Sequence, residues 1–364
     1  MANIVKVGIN SRIYQQENTG IPYYIKCLYD NLVKSQNDLS FVFFQTDGSK
    51  RIGDTKVIKV FKNLLGTLLF DIFFVNKLIR KEQINIFHGP AHILPFFKRE
   101  NVKYVLTVHD LAFLIYPKHY NKIFNFYYKY FLKRSLRIAD IIISVSESTK
   151  KDIIKFYKIP DNKIKVVYSG INSIFLNKIR KERIVKENYF FSITTSPKRK
   201  NIISVLEVMS NNAELKKYKY LIAGLIDENQ LAELRDVIER LGLINDVILW
   251  GYANEDQLIN FYENAEFFIY PSFYEGFGFP VLEAMACECP VITSCNSSLI
   301  EITPNKNWLV DPRSLKDISD KMINMIKLGE RERDELISSN YSFSKQFSWD
   351  KTAEAYIKVF RDLL

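Results

Sequence analysis

The 364-residue sequence predicts two parallel α/β domains, and three observations lead there. Short apolar strands alternate with amphipathic helical stretches along both halves, the order that covers both faces of a parallel sheet with helices. The length exceeds what a single core fills. A polar, charged stretch from Asn177 to Asn188 breaks the alternation near the middle and reads as a linker.

In the first half, strands are read at Ile4–Asn10, Phe41–Gln45, Ile84–His88, Tyr104–Val108 and Ile141–Val145, with helical patterns at Pro22–Ser35 and Lys122–Ala139. In the second, strands fall at Tyr189–Ile193, Tyr220–Ala223, Val247–Trp250, Phe267–Tyr270 and Val291–Thr293. Helices fall there at Asn201–Leu215, Glu228–Leu241, Glu255–Asn264 and Pro280–Cys287. The tail Ser348–Leu364 carries Trp349, Ala353, Tyr356, Ile357 and Phe360 at helical spacing. The expected organisation is a Rossmann-like domain over residues 1–170, a second over 171–345, and a terminal helix, 346–364, packing back on the first. Ligands of open parallel sheets bind beyond the carboxyl ends of the strands. The two sheets are therefore expected to face each other across an interdomain cleft.

Composition is that of a globular protein, with 47% hydrophobic and 25% charged residues, which excludes fibrous and disordered classes. No apolar run reaches the roughly 18 residues of a spanning helix. The nearest, Leu64–Val75, is short and broken by Asp71, and no signal-peptide pattern follows Met1, so a cytoplasmic protein is expected. Cys27, Cys287, Cys289 and Cys295 lack the spacing of a metal site and are expected to be reduced, mostly structural thiols. Residues 1–170 hold 27 Lys/Arg against 13 Asp/Glu, a balance of +14, and the remainder holds 24 against 28, a balance of −4. A basic first half suggests an anionic partner: phosphate, nucleic acid or lipid.

The strongest motif is PSFYEGFGFPVLEAMA, Pro271–Ala286. A strand ends at Tyr270, a loop carries Glu275, Gly276, Phe277 and Gly278, and a helix starts near Phe279–Pro280, with proline tolerated in its first turn. Glycines let backbone N–H groups approach a ligand, and a helix N-terminus attracts phosphate. Glu283 sits among Val281, Leu282, Ala284, Met285 and Ala286, so a buried carboxylate is expected, suited to a ribose diol. Glu275 is suited to the hydroxyls of a sugar beyond a diphosphate; the alternative is a helix cap. In Ser196–Asn201, Lys198, Arg199 and Lys200 fall at a helix start, where they oppose the macrodipole unless an anion lies between them. His109 ends the strand Tyr104–Val108 and is placed to hydrogen-bond a substrate, or else to satisfy itself on Asp110. His88 and His92 flank Gly89-Pro90 and fit a cleft or a structural role equally. Ser146 reads as the N-cap of a helix beginning near Glu147.

The Glu275–Glu283 segment resembles the two-glutamate motif of retaining glycosyltransferase family 4, and the resemblance extends over nearly the whole chain. It implies the GT-B fold. It also implies a nucleotide-sugar bound mostly by the second domain, through Arg199, Lys200, Glu275, Gly276, Phe277, Gly278, Phe279 and Glu283. Lys200 matches a lysine that contacts donor phosphates, and Gly20 lies in a loop whose backbone approaches them. His109 matches a histidine that contacts the donor sugar. His109, Glu275, Arg199 and Lys200 form the implied catalytic set. Pro22 and Tyr23 depart from the family's first loop, Thr194-Thr195 from its second, and Glu288 replaces a glycine usual after the helix. HDLAFL followed by a proline looks most like bacterial O-antigen mannosyltransferases, which makes GDP-mannose the first expected donor, with UDP- and dTDP-sugars open.

Neither a cofactor nor a metal is expected, since no Asp-x-Asp pair at a strand end offers ligands. The acceptor is expected to be a saccharide or lipid-linked, with no nucleic acid as partner, because the basic residues match no nucleic-acid motif. A non-catalytic subunit partnering another glycosyltransferase is the rival, disfavoured because both glutamates and Lys200 are intact. Lys118, Lys122, Lys129, Lys133 and Arg137 share one helix face, with Phe124, Tyr127, Tyr128 and Phe131 opposite. This stripe is either a solvated surface or a lipid-headgroup contact, and the +14 balance favours peripheral contact of the first domain with an anionic membrane on its inner face.

Overall fold

The computed structural model describes residues 4–11, 20–34, 38–46, 56–60, 70–117, 120, 122–177, 184–224 and 226–364. The chain divides into two compact units, Met1–Gly170 with Phe347–Leu364, and Ile171–Gln346.

In the first unit, β1 (Val5–Asn10), β2 (Leu39–Thr46), β3 (Lys56–Val60), β4 (Ile86–Gly89), β5 (Lys103–Val108), β6 (Ile141–Ser144) and β7 (Ile164–Val166) form a sheet in the order β3-β2-β1-β4-β5-β6-β7. Every pairing is parallel. Its helices are α1 (Gly20–Lys34), α2 (Val75–Lys81, entered through a π-helical turn Phe70–Phe74), α3 (Ala112–Ile115), α4 (Lys122–Ile138) and α5 (Glu147–Tyr157). Ser146 accepts from the Thr149 amide and caps α5 at Glu147 as the sequence predicts. One core joins Phe44, Ile79, Phe87, Tyr104, Leu132, Leu136 and Ile142.

The second unit opens with a short helix, α6 (Ser173–Leu176). Alternation then resumes: β8 (Tyr189–Ile193), α7 (Ile202–Ser210), β9 (Lys219–Ala223), α8 (Glu228–Arg240), β10 (Val247–Gly251), α9 (Glu255–Asn264), β11 (Phe268–Tyr270), α10 (Phe279–Ala286), β12 (Val291–Ser294) and β13 (Leu309–Val310). Helices α11 (Leu315–Ile326) and α12 (Glu330–Ser344) close the unit. The sheet is parallel, in the order β10-β9-β8-β11-β12-β13. Phe190 stacks on Phe267 at 5.3 Å and on Tyr220 at 4.8 Å in its core.

The last helix, α13 (Trp349–Arg361), belongs to the first unit and packs on α1. The approach is close at Gly170, where a Cβ would sit 2.2 Å from the Trp349 amide nitrogen, so only glycine fits. Inside, Tyr24 shares a hydrogen bond with Tyr356 (2.5 Å), Tyr356 with Thr107 (2.7 Å), Thr107 with His88 Nε2 (2.8 Å), and Tyr29 with His88 Nδ1. This buried chain satisfies polar groups from α1, β4, β5 and α13 at once.

All ten predicted strands are present within two residues at either end. Edge strands β3 and β13 lie outside the strands read from the sequence, and β7 ends four residues before Gly170, where the sequence reading closes a strand pattern with Tyr168-Ser169-Gly170. The helix read at Asn201–Leu215 stops at Ser210, where Asn211 leaves helical geometry, and a separate 3-10 turn covers Leu215–Lys217.

Candidate active site

In each sheet, strand order reverses beside the first strand of the unit: between β1 and β4, and between β8 and β11. Loops leaving the two strands at such a point diverge and open a crevice. In the second unit those loops are Thr194–Asn201 after β8 and Pro271–Gly278 after β11, which carry Arg199, Lys200 and Glu275.

The two loops are tied backbone to backbone, the Phe273 amide donating to Arg199 O at 3.1 Å. Lys200 Nζ donates to Glu275 Oε1 at 2.5 Å and to the Tyr270 hydroxyl. Arg199 Nη1 donates to Tyr274 O at 3.0 Å and lies 3.5 Å from the same carboxylate oxygen. Ser272 Oγ also donates to it, at 2.6 Å. Lys200 and Glu275 are both buried. Burial alone would raise the Glu275 carboxyl, but the Lys200 ammonium, the Arg199 guanidinium and two hydrogen bonds outweigh it and hold the group below its ordinary value. Glu275 is therefore an anion at neutral pH.

Arg199 and Lys200 sit in a turn ahead of Asn201, the left-handed N-cap of α7, between strand and helix as the sequence places them. The anion that balances them is the chain's own Glu275, while Lys198 pairs with Glu233 at 2.5 Å. No bound diphosphate is needed to explain the three cations. Nor does Glu275 cap a helix: the N-cap of α10 is Gly278, at φ +115°, where a Cβ would meet Ile302 and Leu299 at 2.8 Å.

The loop before α10 is held from beneath. Ser298 Oγ donates to Glu275 O and Phe277 O, and the Glu275 amide donates to Ser297 Oγ at 3.0 Å. Gly276 and Phe277 are buried, and Phe277 meets the half-buried Phe279 edge-on at 5.1 Å. On α10, Val281, Leu282, Ala284, Met285 and Ala286 are buried, whereas Glu283 keeps partial exposure. It is therefore less buried than the apolar run predicts, and the Tyr262 hydroxyl donates to its carboxylate at 3.3 Å. Surrounding apolar groups push its carboxyl up to about 7, against the lowering effect of Tyr262. Two carboxylates eight positions apart thus differ in charge state, Glu275 ionised and Glu283 poised near neutrality.

In the first unit, His109 is buried and its Nε2 lies 2.7 Å from Pro90 O. A carbonyl only accepts, so Nε2 carries the proton and Nδ1 remains an acceptor. Asp110 is not its partner; that carboxylate accepts from the Ala112 amide. Burial, then the neighbouring His92, lowers His109 to about 3, so it is neutral at pH 7. His88 spends both nitrogens inside the buried chain, a structural role. His92 stands at φ +68°, 5.5 Å from His109 between ring centroids, and its buried Nδ1 has no hydrogen-bond partner among the described residues. Gly20 opens α1, and among the described residues a Cβ there would meet nothing within 4 Å. Asn18, Thr19 and Lys118 lie outside the described residues.

Sequence reasoning missed Tyr262, Tyr270 and Ser272. Tyr262 lies within α9, Tyr270 ends β11 and Ser272 follows it, and no local pattern separates them from other core tyrosines and serines. The turn after α10 also keeps its form: Glu288 adopts φ +59°, the left-handed geometry for which glycine is usual. A cavity of about 290 Å³ between α7 and α8, lined by Ile203, Leu234 and Val237, includes neither glutamate. Among the described residues no three His, Cys, Asp or Glu cluster to hold a metal, and no helix is long and apolar enough to cross a membrane.

Residues 175–363 match the family described as Glycosyl transferases group 1, and residues 19–173 match Glycosyltransferase Family 4. The chain is 27% identical over 288 residues to O-antigen chain mannosyltransferase B of Escherichia coli, covering 76% of this chain and 74% of that protein. It is 31% identical over 241 residues to O-antigen chain mannosyltransferase RfbU of Salmonella typhimurium, covering 65% and 64%. It is 26% identical to the serotype-specific mannosyltransferase WbdA of Escherichia coli, covering 77% of this chain but 37% of that protein. Among solved structures, a sucrose-phosphate synthase from Thermosynechococcus elongatus superposes with a TM-score of 0.79 at 16% identity, covering 99% of both chains.

Proposed function

This chain belongs to the group 1 glycosyl transferases, has a family 4 module in its first half and the GT-B fold, and from that premise we propose a retaining, metal-independent hexosyl transfer from a nucleotide-sugar to a saccharide or lipid-linked acceptor. The observation that carries the reading is the convergence of Lys200 and Arg199 on Glu275 at the switch point of the second sheet, beside a helix start and the half-buried Glu283. The donor diphosphate lies against Lys200, Arg199 and the N-terminus of α10, with the backbone of Gly276–Phe279 next to it. Glu283 accepts from the ribose diol. Glu275 accepts from sugar hydroxyls and holds the ring, and it is not a covalent nucleophile.

As the anomeric C–O bond breaks, positive charge grows on the sugar and negative charge on the departing diphosphate. The two cations and the α10 dipole stabilise that negative charge. The acceptor hydroxyl then attacks from the face the diphosphate leaves, giving its proton to a diphosphate oxygen, and configuration is retained. In this reading residues 1–170 with 346–364 bind the acceptor and residues 171–345 the donor. His109, with Nδ1 free to accept, receives a donor-sugar hydroxyl, and the Gly20 loop meets the diphosphate. The first donor is GDP-mannose, supported by the mannosyltransferase names of the relatives.

The test is thermal shift with GDP, UDP, dTDP and ADP, followed by transfer assays and NMR of the product anomer. The largest shift is expected with GDP, the product with the donor's anomeric configuration, and activity unchanged by EDTA. Inverted product overturns the mechanism, and activity lost to EDTA and restored by magnesium or manganese overturns metal independence.

A further inference from the structure

Helix α4 contains no acidic residue. Its inner side buries Phe131, Leu132 and Leu136. Its outer side, read at helical spacing, exposes Lys122, Phe126, Lys129, Tyr130, Lys133 and Arg137. All four cations were expected there; the two aromatics between them were not. Phe126 is 75% exposed, which leaves nearly a whole ring in water.

Two other segments join this face. The Asn76 amide on α2 donates to Phe97 O at 3.0 Å, and Phe96 packs on Phe131 at 6.1 Å with the Arg134 guanidinium over its ring. Phe97, beside Lys98, is exposed, as are Phe73 and Phe74 at the entry to α2, where Lys77 lies over the Phe74 ring. Five exposed aromatic rings on three tied segments are more than scattered surface apolarity, and such patches mark a partner. Rings set among Lys and Arg are the composition of a surface that lies in the headgroup layer of a bilayer, rings inward and cations on the phosphates.

We propose that the first unit docks on an anionic lipid bilayer by inserting this aromatic belt, an inference that rests on the reading of the acceptor as lipid-linked. The exposed rings set among the cations support the lipid, whose headgroup layer takes in both, and the inner side of α4 leads toward His109. Tyr128 lies 6.0 Å from the His92 ring and His92 5.5 Å from His109. A helix is about 10 Å thick. Docking through the outer side of α4 thus sets the thickness of that helix, then the Tyr128 and His92 rings, between the headgroups and His109. Cations alone give binding that salt screens within about 10 Å at 0.1 M; inserted rings add a component that salt leaves intact.

The experiment is vesicle flotation of the full chain with phosphatidylcholine alone and with added phosphatidylglycerol, at 0.1 and 0.5 M salt. Wild type floats with the anionic vesicles and keeps part of that binding at 0.5 M. Lys129→Ser with Lys133→Ser weakens partitioning by about thirtyfold at 0.1 M, roughly fivefold per cation. Phe97→Ser, Phe126→Ser and Tyr130→Ser together remove the salt-resistant fraction. In Phe126→Trp, brominated lipid quenches the new indole. GDP binding, carried by the second unit, is monitored in every variant and is expected to stay unchanged, so failure of docking and failure of the transferase reading are separate results. The proposal is overturned if wild type does not float with anionic vesicles at 0.1 M salt. It is equally overturned if the triple variant floats like wild type, if the indole stays unquenched, or if the belt binds single-stranded RNA in place of vesicles.

Discussion

Replacing Glu283 by Gln tests the donor site most directly. The carboxyl is pushed up to about 7, so at pH 6 roughly nine-tenths of ligand-free molecules hold it protonated, and at pH 8 roughly one-tenth. A ribose diol donating two hydrogen bonds requires the carboxylate, so nucleotide binding competes with a proton. The dissociation constant of GDP should fall about tenfold from pH 6 to pH 8 and level off above, with about half a proton released per nucleotide bound at pH 7. Glu283→Gln removes the charge but keeps one acceptor and the bond from Tyr262. It should weaken GDP by about 2 kcal/mol, near thirtyfold at pH 8, and erase the pH dependence. The fold is not at risk. A carboxyl raised in the folded state contributes stability that is full below its unfolded value of 4.5 and is lost as pH rises through 7, and the amide avoids that loss. Calorimetry at pH 6, 7 and 8, in two buffers of different ionisation enthalpy, measures both effects. An affinity in wild type that does not change with pH, or a Gln variant that binds as wild type does, would refute the ribose assignment.

Lys200→Ala should destabilise the second unit by about 2–3 kcal/mol in urea unfolding, because buried Glu275 keeps Arg199 and Ser272 but loses its nearest cation; an unchanged midpoint would contradict the pairing. His88, His92 and His109 have folded values lowered to about 3, 4 and 3 from 6.5, chiefly by burial. Their neutral forms stabilise the first unit fully above pH 6.5, and that stability is lost as pH falls toward 3–4, so β4 and β5 amides should show smaller hydrogen-exchange protection factors at pH 5 than at pH 7. Glu288→Gly should raise thermal stability by about 1 kcal/mol, because the left-handed conformation strains any residue but glycine; a lowered melting temperature would show that the Glu288 side chain matters more than its backbone.

The order of strands and helices was legible because it is written locally: apolar runs of four to six residues, helical spacing between them, and caps such as Ser146. So was the placing of Arg199, Lys200 and Glu275 after strands, since a loop's position follows from the elements on either side of it. Their partnership was not legible. Lys200 and Glu275 are 75 positions apart, and they meet because β8 and β11 are neighbours in the sheet, a choice made by the packing of whole helices and strands. In the same way Tyr356 reaches Thr107 across 249 positions. On α4 the sequence reading set Tyr127, Tyr128 and Phe131 on the inner face, where Phe131 is buried, but passed over Phe126 and Tyr130, which the packing leaves in solvent. Sequence by itself determined which residues stand at the carboxyl ends of the strands, because backbone propensity and hydrophobic period act over a few residues. Tertiary structure decided which charge meets which and how far each carboxyl moves from its ordinary value, because burial and counter-charge exist only once distant segments have packed.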